Sequence, residues 1–193
     1  MIKSLKQEKG FTIIEVMISL GLFIVIMIIG VGALINANNV HKKNQKIRSI
    51  LDNLSFVMED MSRNMRTGTE FNCSPGFSPN CADGKSIKFT NNNVVPTPEL
   101  WQYDFVDALN PSYPGMGYIQ KTTPSGTNIL NPDEVKFDGN SGFIVIGAPL
   151  GSADHIQPYI IIKFSGFIYY KNELVTPFYL ETAVSQRLID TLP

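Results

Sequence analysis

Hydrophobic and polar positions divide the chain into three regions with different patterns. Apolar residues are nearly continuous from residue 16 to residue 35, then recur at helical spacing to about residue 66, and then alternate with polar residues in short segments. The 20 residues of the first region carry no charge. As a helix they would span ~30 Å, the thickness of the hydrocarbon core of a bilayer. The first region therefore predicts a membrane-spanning helix.

The second region predicts an amphipathic continuation of the same helix. No proline interrupts residues 11–66, and Thr67-Gly68 supplies a stop signal. Apolar side chains recur here at alternating spacings of four and three residues, which is typical of one helix face. They are Ile47, Leu51, Leu54, Met58, Met61 and Met65. We expect this stripe to pack on the domain that follows; a free coiled-coil stalk is the alternative.

The third region predicts an antiparallel sheet, because β-branched and aromatic segments alternate with polar turns and all 12 prolines lie beyond residue 74. Strands are expected at residues 86–90, 100–106, 117–122, 134–137, 142–147, 159–164, 167–171 and 174–182. Ser165-Gly166 and Asn172-Glu173 read as hairpin turns, and Pro177 predicts an edge strand or a bulge. One long helix followed by such a sheet makes an α+β fold.

Charge and composition exclude several classes of protein. The chain has 16 Lys+Arg and 17 Asp+Glu, so it lacks the basic excess of a nucleic-acid binder. Two cysteines and two histidines are too few for a zinc ribbon or finger. No phosphate-binding Gly-Lys-Ser/Thr loop and no Gly-x-Ser-x-Gly elbow occurs. We therefore expect neither an enzyme nor a nucleic-acid partner.

One carboxylate stands at the start of the apolar region. A charge costs ~2.5–3.5 kcal/mol at the centre of a spanning helix and less near its end, so Glu15 is a functional candidate. The alternative is that it lies at the headgroup level and favours the helix N-terminus. A cleaved secretory signal fits poorly, since its apolar run would be only ~7–15 residues and Asn36-Ala37-Asn38 is a poor cleavage site.

The residues around Glu15 resemble a known processing signal. Gly10, then Phe11-Thr12, then Glu15 and an apolar run, preceded by a short lysine-rich leader, resemble the class III signal of type IV pilins and type II secretion pseudopilins. The resemblance implies that a membrane-embedded prepilin peptidase removes residues 1–10 by cutting between Gly10 and Phe11. It also implies N-methylation of Phe11, and neutralisation of the N-terminal amine of a neighbouring subunit by Glu15.

The same resemblance implies an organisation and a set of partners. Residues 11–40 would form a transmembrane and filament-core half-helix, residues 41–68 an amphipathic half, and residues 69–193 an extracytoplasmic β-rich domain, together a pilin-like fold. The partners would be prepilin peptidase, other pilin or pseudopilin subunits and the assembly platform of the bacterial inner membrane. The protein would be a single-pass inner-membrane protein that enters a periplasmic or extracellular filament.

A minor subunit is favoured over a major one. The apolar stretch lacks the proline found in many major pilins, and the tail from Thr182 to Arg187 resembles that of larger minor subunits. The alternative from another class is an uncleaved single-span protein with an extracytoplasmic ligand-binding or sensor domain. That alternative predicts no processing at Gly10 and no dependence on Glu15.

Two further sites are weaker candidates. Cys73 and Cys81 enclose seven residues, and export to an oxidising compartment would permit a disulfide across this loop; two free thiols are the alternative. Some pseudopilins bind calcium, so the acidic clusters Asp104/Asp107 and Asp133/Glu134/Asp138 are possible ligands. No Asp-x-Asp-x-Asp-Gly ladder supports calcium here, and exposed loop carboxylates are the favoured interpretation. We expect no cofactor.

Overall fold

The computed structural model describes residues 10–74, 76, 78–94, 97–106, 117–148, 157–170 and 173–187. The chain divides into two compact units, Met1–Lys46 and Ile47–Pro193. One α-helix, α1 (Ile13–Thr67), contributes residues to both units. Its 55 residues match the predicted helix, which no proline interrupts.

In the first unit, α1 exposes apolar side chains all around its axis. The described residues of this unit are all exposed, among them every isoleucine, leucine and valine from Ile13 to Val40. By length and composition this part of the helix could cross a membrane. Contiguous exposed apolar surface of this extent is typical of segments that contact lipid or another protein.

In the second unit, α1 packs one face on the sheets, as the amphipathic stripe predicts. Leu54, Met61 and Met65 are fully buried. At the start of the stripe Ile50 is buried, whereas Ile47 and Leu51 are only partly buried against the core. The helix therefore covers the domain, and a free coiled-coil stalk is wrong.

Ten strands follow the helix in the described residues, and all of their pairings are antiparallel. They are β1 (Gly68–Cys73), β2 (Cys81–Gly84), β3 (Ser86–Asn91), β4 (Glu99–Val106), β5 (Tyr118–Thr123), β6 (Gly126–Ile129), β7 (Val135–Phe137), β8 (Gly142–Ile146), β9 (Tyr159–Tyr170) and β10 (Glu173–Ser185). One sheet has the order β1-β3-β4-β5-β6 and the other β10-β9-β8-β2, with β7 also pairing with β9. The arrangement is α+β, as the sequence predicts.

The predicted turn at Ser165-Gly166 is wrong, because β9 runs unbroken through both residues. Position 166 has no room for a side chain, because a Cβ on Gly166 would lie 2.1 Å from the carbonyl oxygen of Lys136 in β7. β7 pairs with β9 at this point, with Phe137 opposite Gly166. The close approach of a third strand therefore explains a glycine that reads as a turn in the sequence.

The structure contains the predicted hairpin near residue 172 and places Pro177 in an edge strand, as predicted. β9 and β10 pair antiparallel from Tyr170 and Glu173 onward, so Glu173 already belongs to the strand, and residues 171–172 lie outside the described residues. Pro177 lies in β10, the outer strand of its sheet, where a missing N–H costs no ladder bond. A register shift between Leu174 and Thr176 precedes it.

Three short strands are not predicted by the sequence, namely β1, β2 and β6. β1 follows α1 without a turn, and Gly68 has no positive φ. Its missing side chain makes room for Phe89, whose Cδ2 would lie 2.5 Å from a Cβ on Gly68. Glu70 takes a φ of 58° where the pairing of β1 with β3 shifts register, a conformation costly for a residue with a side chain.

Aromatic side chains form the centre of the second unit. Phe105 has ring centroids of three other phenylalanines within 5.8 Å, at tilted or edge-to-face angles. These neighbours are Phe137, Phe143 and Phe164, which come from β7, β8 and β9. Such pairs add ~0.5–1.5 kcal/mol each beyond the burial of their area. The core thus joins residues of both sheets.

Candidate functional site

The peptide bond between Gly10 and Phe11 precedes the first helical residue and is accessible. Neither residue has helical structure, and Phe11 is 81% exposed. A side chain on Gly10 would meet nothing within 4 Å. A protease needs an accessible peptide outside regular secondary structure, and Gly10 and Phe11 are both exposed and non-helical.

Thr12 caps the helix and so fixes where it begins. Its Oγ1 accepts a hydrogen bond from the Glu15 N–H at 3.3 Å, and its carbonyl accepts one from the Val16 N–H at 3.2 Å. These are the bonds of an N-cap residue, which satisfies amides that have no partner inside the helix. The motif Thr-x-x-Glu signals such a cap. Sequence reasoning quoted Thr12 only as part of the processing motif and missed this role.

Glu15 lies in the first turn of α1, where the helix dipole favours a negative charge. Its carbonyl accepts a hydrogen bond from the Ser19 hydroxyl at 2.7 Å. Within the described residues, its carboxylate makes no hydrogen bond or ion pair. Phe11 stands four residues earlier, about one helical turn. Glu15 is exposed in the first turn of the helix.

Cys73 and Cys81 form a disulfide, with their Cα atoms 6.2 Å apart. The bond connects the end of β1 with the start of β2. Ser78 closes the same loop, because the N–H of Cys73 donates to the Ser78 carbonyl and the Ser78 N–H donates back to Cys73. The loop is thus held by one covalent bond and two backbone hydrogen bonds.

The acidic clusters do not come together as a metal site in the residues that the structure describes, where no group of three or more His, Cys, Asp or Glu side chains converges. Asp104 accepts hydrogen bonds from Gln102 and Gln120. Asp138 accepts from the Asn140 N–H and the Ser165 hydroxyl. Asp107 lies outside the described residues.

One cluster of carbonyl and carboxylate oxygens resembles a cation-binding site, and it holds the ammonium group of a lysine. The Nζ of Lys85 donates to the carbonyls of Gly139 and Ser141, each at 2.7 Å, and to both carboxylate oxygens of Asp83 at 3.1 and 3.2 Å. This cluster fastens β2 to the loop before β8. Sequence reasoning did not single out Lys85, since its two carbonyl partners, Gly139 and Ser141, lie more than 50 positions away in the chain.

A second polar cluster joins the helix to the first sheet. The Nδ2 of Asn64 lies 3.2 Å from the Tyr103 hydroxyl and 3.1 Å from Asp60 Oδ2. The Lys121 Nζ lies 3.8 Å from Asp60 Oδ2 and 3.8 Å from the centre of the Trp101 ring, a cation–π contact. Burial raises the pKa of Tyr103 and lowers that of Lys121. The cluster attaches the helix to the sheet at a defined position.

Comparisons with known proteins give no neighbour for this chain. No family model matches it. Searches of curated proteins and of solved structures find no match either. The function has to be inferred from the residues themselves, above all from Gly10, Phe11 and Glu15.

Proposed function

We propose that the chain is a minor pilin or pseudopilin, a structural subunit of a type IV pilus-like or type II secretion filament. Prepilin peptidase cleaves it between Gly10 and Phe11 and methylates the new amino group of Phe11. One observation carries the proposal. An exposed, non-helical Gly10–Phe11 bond lies directly before a long apolar helix whose first turn holds Glu15.

The chemistry of assembly follows from that arrangement. Cleavage makes the amino group of Phe11 a cation at the start of an apolar helix. In a filament core, an unpaired Glu15 carboxylate or an unpaired amine would be strongly destabilising, and pairing offsets much of that penalty. The amine of one subunit and Glu15 of its neighbour can therefore set the register of stacking. The role is structural rather than catalytic.

The two units take separate tasks in this proposal. The apolar part of α1 anchors the subunit in the bacterial inner membrane and then forms the filament core with other subunits, at an assembly platform. The sheet domain lies outside the cytoplasm. The disulfide between Cys73 and Cys81 supports this placement, because disulfides persist in oxidising compartments and are rare in the cytoplasm.

The test is the N-terminus of the protein made in a host that has prepilin peptidase. Intact mass and N-terminal sequencing should show loss of residues 1–10 and an N-methylated Phe11. Gly10→Ala should leave Met1 in place. Gly21→Ala is the matched control, since a Cβ at either glycine meets nothing within 4 Å, and it should be processed normally.

An unprocessed wild-type chain would reject the proposal. The protein would then be an uncleaved single-span membrane protein, and a ligand-binding or sensor role for the sheet domain would replace the filament role. Normal processing of Gly10→Ala would likewise contradict cleavage at this site.

A further inference from the structure

The outer strand of the second sheet has one long side without a partner strand in the described part of the chain. β10 has 13 residues and pairs only with β9. An outer strand presents a row of free N–H and C=O groups to any extended chain that approaches. Natural proteins use such edges to bind peptides by strand addition.

The hydrogen bonds show which residues of β10 face away from β9. The N–H of Gln186 donates to the Pro158 carbonyl at 3.0 Å, so even-numbered residues turn their main chain toward β9. Odd-numbered residues turn theirs away. Pro177 is odd-numbered and has no N–H to offer, and the N–H of Arg187, also odd-numbered, donates to the Arg66 carbonyl of α1 at 2.7 Å.

A groove of about 390 Å³ lies between this free edge and α1. The residues of β10 that line it are Leu180, Glu181 and Thr182, and those of α1 are Ser55, Met58, Glu59, Ser62 and Arg66. Met58 and Leu180 are the apolar residues of this lining, and Ser55 and Ser62 are its small ones. The groove therefore has room for a side chain of an added strand on the inner side of the sheet.

The outer side of the same edge carries a negative charge. Glu181 is exposed, and its carboxylate is hydrogen-bonded by the hydroxyl of Tyr179, two residues away on the same face. A residue directly opposite Glu181 on an added strand would have its Cβ ~5.5 Å away, where an opposite charge is stabilising and a like charge is destabilising.

We propose that the free edge of β10 binds an extended segment of another polypeptide by strand addition. The segment alternates basic and apolar residues: a Lys or Arg pairs with Glu181 on the outer face, and the next apolar side chain enters the groove over Met58 and Leu180. The main-chain groups of Tyr179, Glu181 and Ala183 make the hydrogen bonds. This surface is independent of the signal at Gly10.

The test uses the full chain in detergent micelles and a ten-residue synthetic peptide that alternates lysine and valine. Amide hydrogen exchange should slow by ~10-fold or more at Tyr179, Glu181 and Ala183 when the peptide is added. The same peptide N-methylated at alternate residues lacks the donors and should give no protection. Protection that is equal with the methylated peptide overturns strand addition.

A charge exchange separates this mode of binding from simple attraction. Glu181→Lys should abolish protection by the lysine peptide and confer it on a peptide that alternates glutamate and valine. Asp52→Lys is the matched control, because Asp52 is exposed on α1 and does not line the groove, and it should leave the original preference unchanged. Loss of the preference in both variants would overturn the pairing with Glu181.

Two other results would also overturn the proposal. Protection of Tyr179, Glu181 and Ala183 before any peptide is added would show that the edge is already covered. Sedimentation would then show what covers the edge: a monomer would indicate another part of the same chain, and a dimer would indicate a second copy. Protection that appears at β1 or β6 instead would place the peptide on the other sheet.

Discussion

Asn64 in α1 and Tyr103 in β4 meet through a buried hydrogen bond of 3.2 Å between the Asn64 amide and the Tyr103 hydroxyl, although 39 residues separate them in sequence. Tyr103 is fully buried, and Asn64 holds Asp60 with the same amide. Two polar side chains are thus brought into the core together. The Asn64 amide donates to both the Tyr103 hydroxyl and Asp60, so its buried N–H groups avoid the penalty of unpaired donors.

Replacing Tyr103 by phenylalanine should destabilise the domain by ~1 kcal/mol near pH 7, because one buried hydrogen bond is lost while Asn64 keeps Asp60. Chemical denaturation of the full chain in detergent, followed by near-UV circular dichroism, measures the change. Asn64→Ala should cost more, since it also removes the contact with Asp60. A Tyr103→Phe variant as stable as the wild type would show that this hydrogen bond makes no net contribution to the free energy of unfolding.

The same residue predicts a dependence of stability on alkaline pH. Burial raises the pKa of Tyr103 above its usual value, so the folded protein holds this proton more tightly than the unfolded chain does. The stabilisation is complete below about pH 10, the unperturbed value, and is lost as pH rises further. Burial lowers the pKa of Lys121, so this residue changes stability with pH in the opposite direction. Because Lys121 is present in both the wild type and Tyr103→Phe, its effect cancels in the comparison. Denaturation at pH 9 and pH 11 should show a steeper alkaline loss for the wild type than for Tyr103→Phe.

A methyl group at Gly166 should disrupt the contact between β7 and β9. The new Cβ would lie 2.1 Å from the Lys136 carbonyl oxygen and 2.9 Å from the Phe137 Cα, and both are backbone atoms that cannot turn aside. Gly166→Ala should therefore cost ~3 kcal/mol or more in unfolding free energy. Gly30→Ala adds the same methyl where nothing lies within 4 Å and should leave the domain unchanged. Equal stability of the two variants would contradict the strand pairing at Gly166.

Removing the disulfide should weaken the second unit without changing its fold. A loop this short is worth ~2–3 kcal/mol in the chain-entropy model. The Cys73→Ser/Cys81→Ser double variant should lose that amount in denaturant unfolding. A reducing agent should produce a similar loss in the wild type and none in the double variant. A loss of stability on reduction in both proteins would show that the reducing agent acts on something other than this disulfide.

Glu15→Ala tests assembly separately from processing, and it rests on the proposed function. The variant keeps Gly10 and Phe11, so the leader should be removed normally. It lacks the carboxylate that neutralises the Phe11 amine, so its recovery in sheared filaments should fall by ~10-fold or more, as expected for loss of ~1.4 kcal/mol. Glu15→Asp retains the charge and should recover part of the incorporation. Equal incorporation of Glu15→Ala and wild type would remove Glu15 from the mechanism.

Local patterns predict the helix and most strands of this protein well. The end of α1 at Thr67 and the outer position of Pro177 follow from residue types that act within a few positions. The buried stripe is offset only at its start, where Ile50 is buried and Leu51 is only partly buried against the core. The interpretation of Gly10, Phe11 and Glu15 as a processing and assembly signal stays a prediction.

Features that depend on contacts between residues far apart in the chain cannot be predicted from local sequence patterns. Gly166 reads as a turn because nothing nearby reveals that Lys136 approaches it from another strand. Nothing near Lys85 in the sequence indicates that its ammonium meets the carbonyls of Gly139 and Ser141. The groove beside β10 exists only because the far end of the chain returns to the helix. Each of these is a tertiary contact that no local periodicity encodes.

The bond between the Arg187 N–H and the Arg66 carbonyl bears on when the domain can fold during synthesis. These two residues are separated by more than half of the chain, so the ribosome must translate almost the whole domain before the helix end gains this partner. Until then β9 also lacks β10, its longest neighbour. Contacts of such separation are slow to form and leave strands open to wrong pairing. The sheet domain should therefore complete its folding only once β10 has emerged from the ribosome, and until then a chaperone can still bind its unpaired strands.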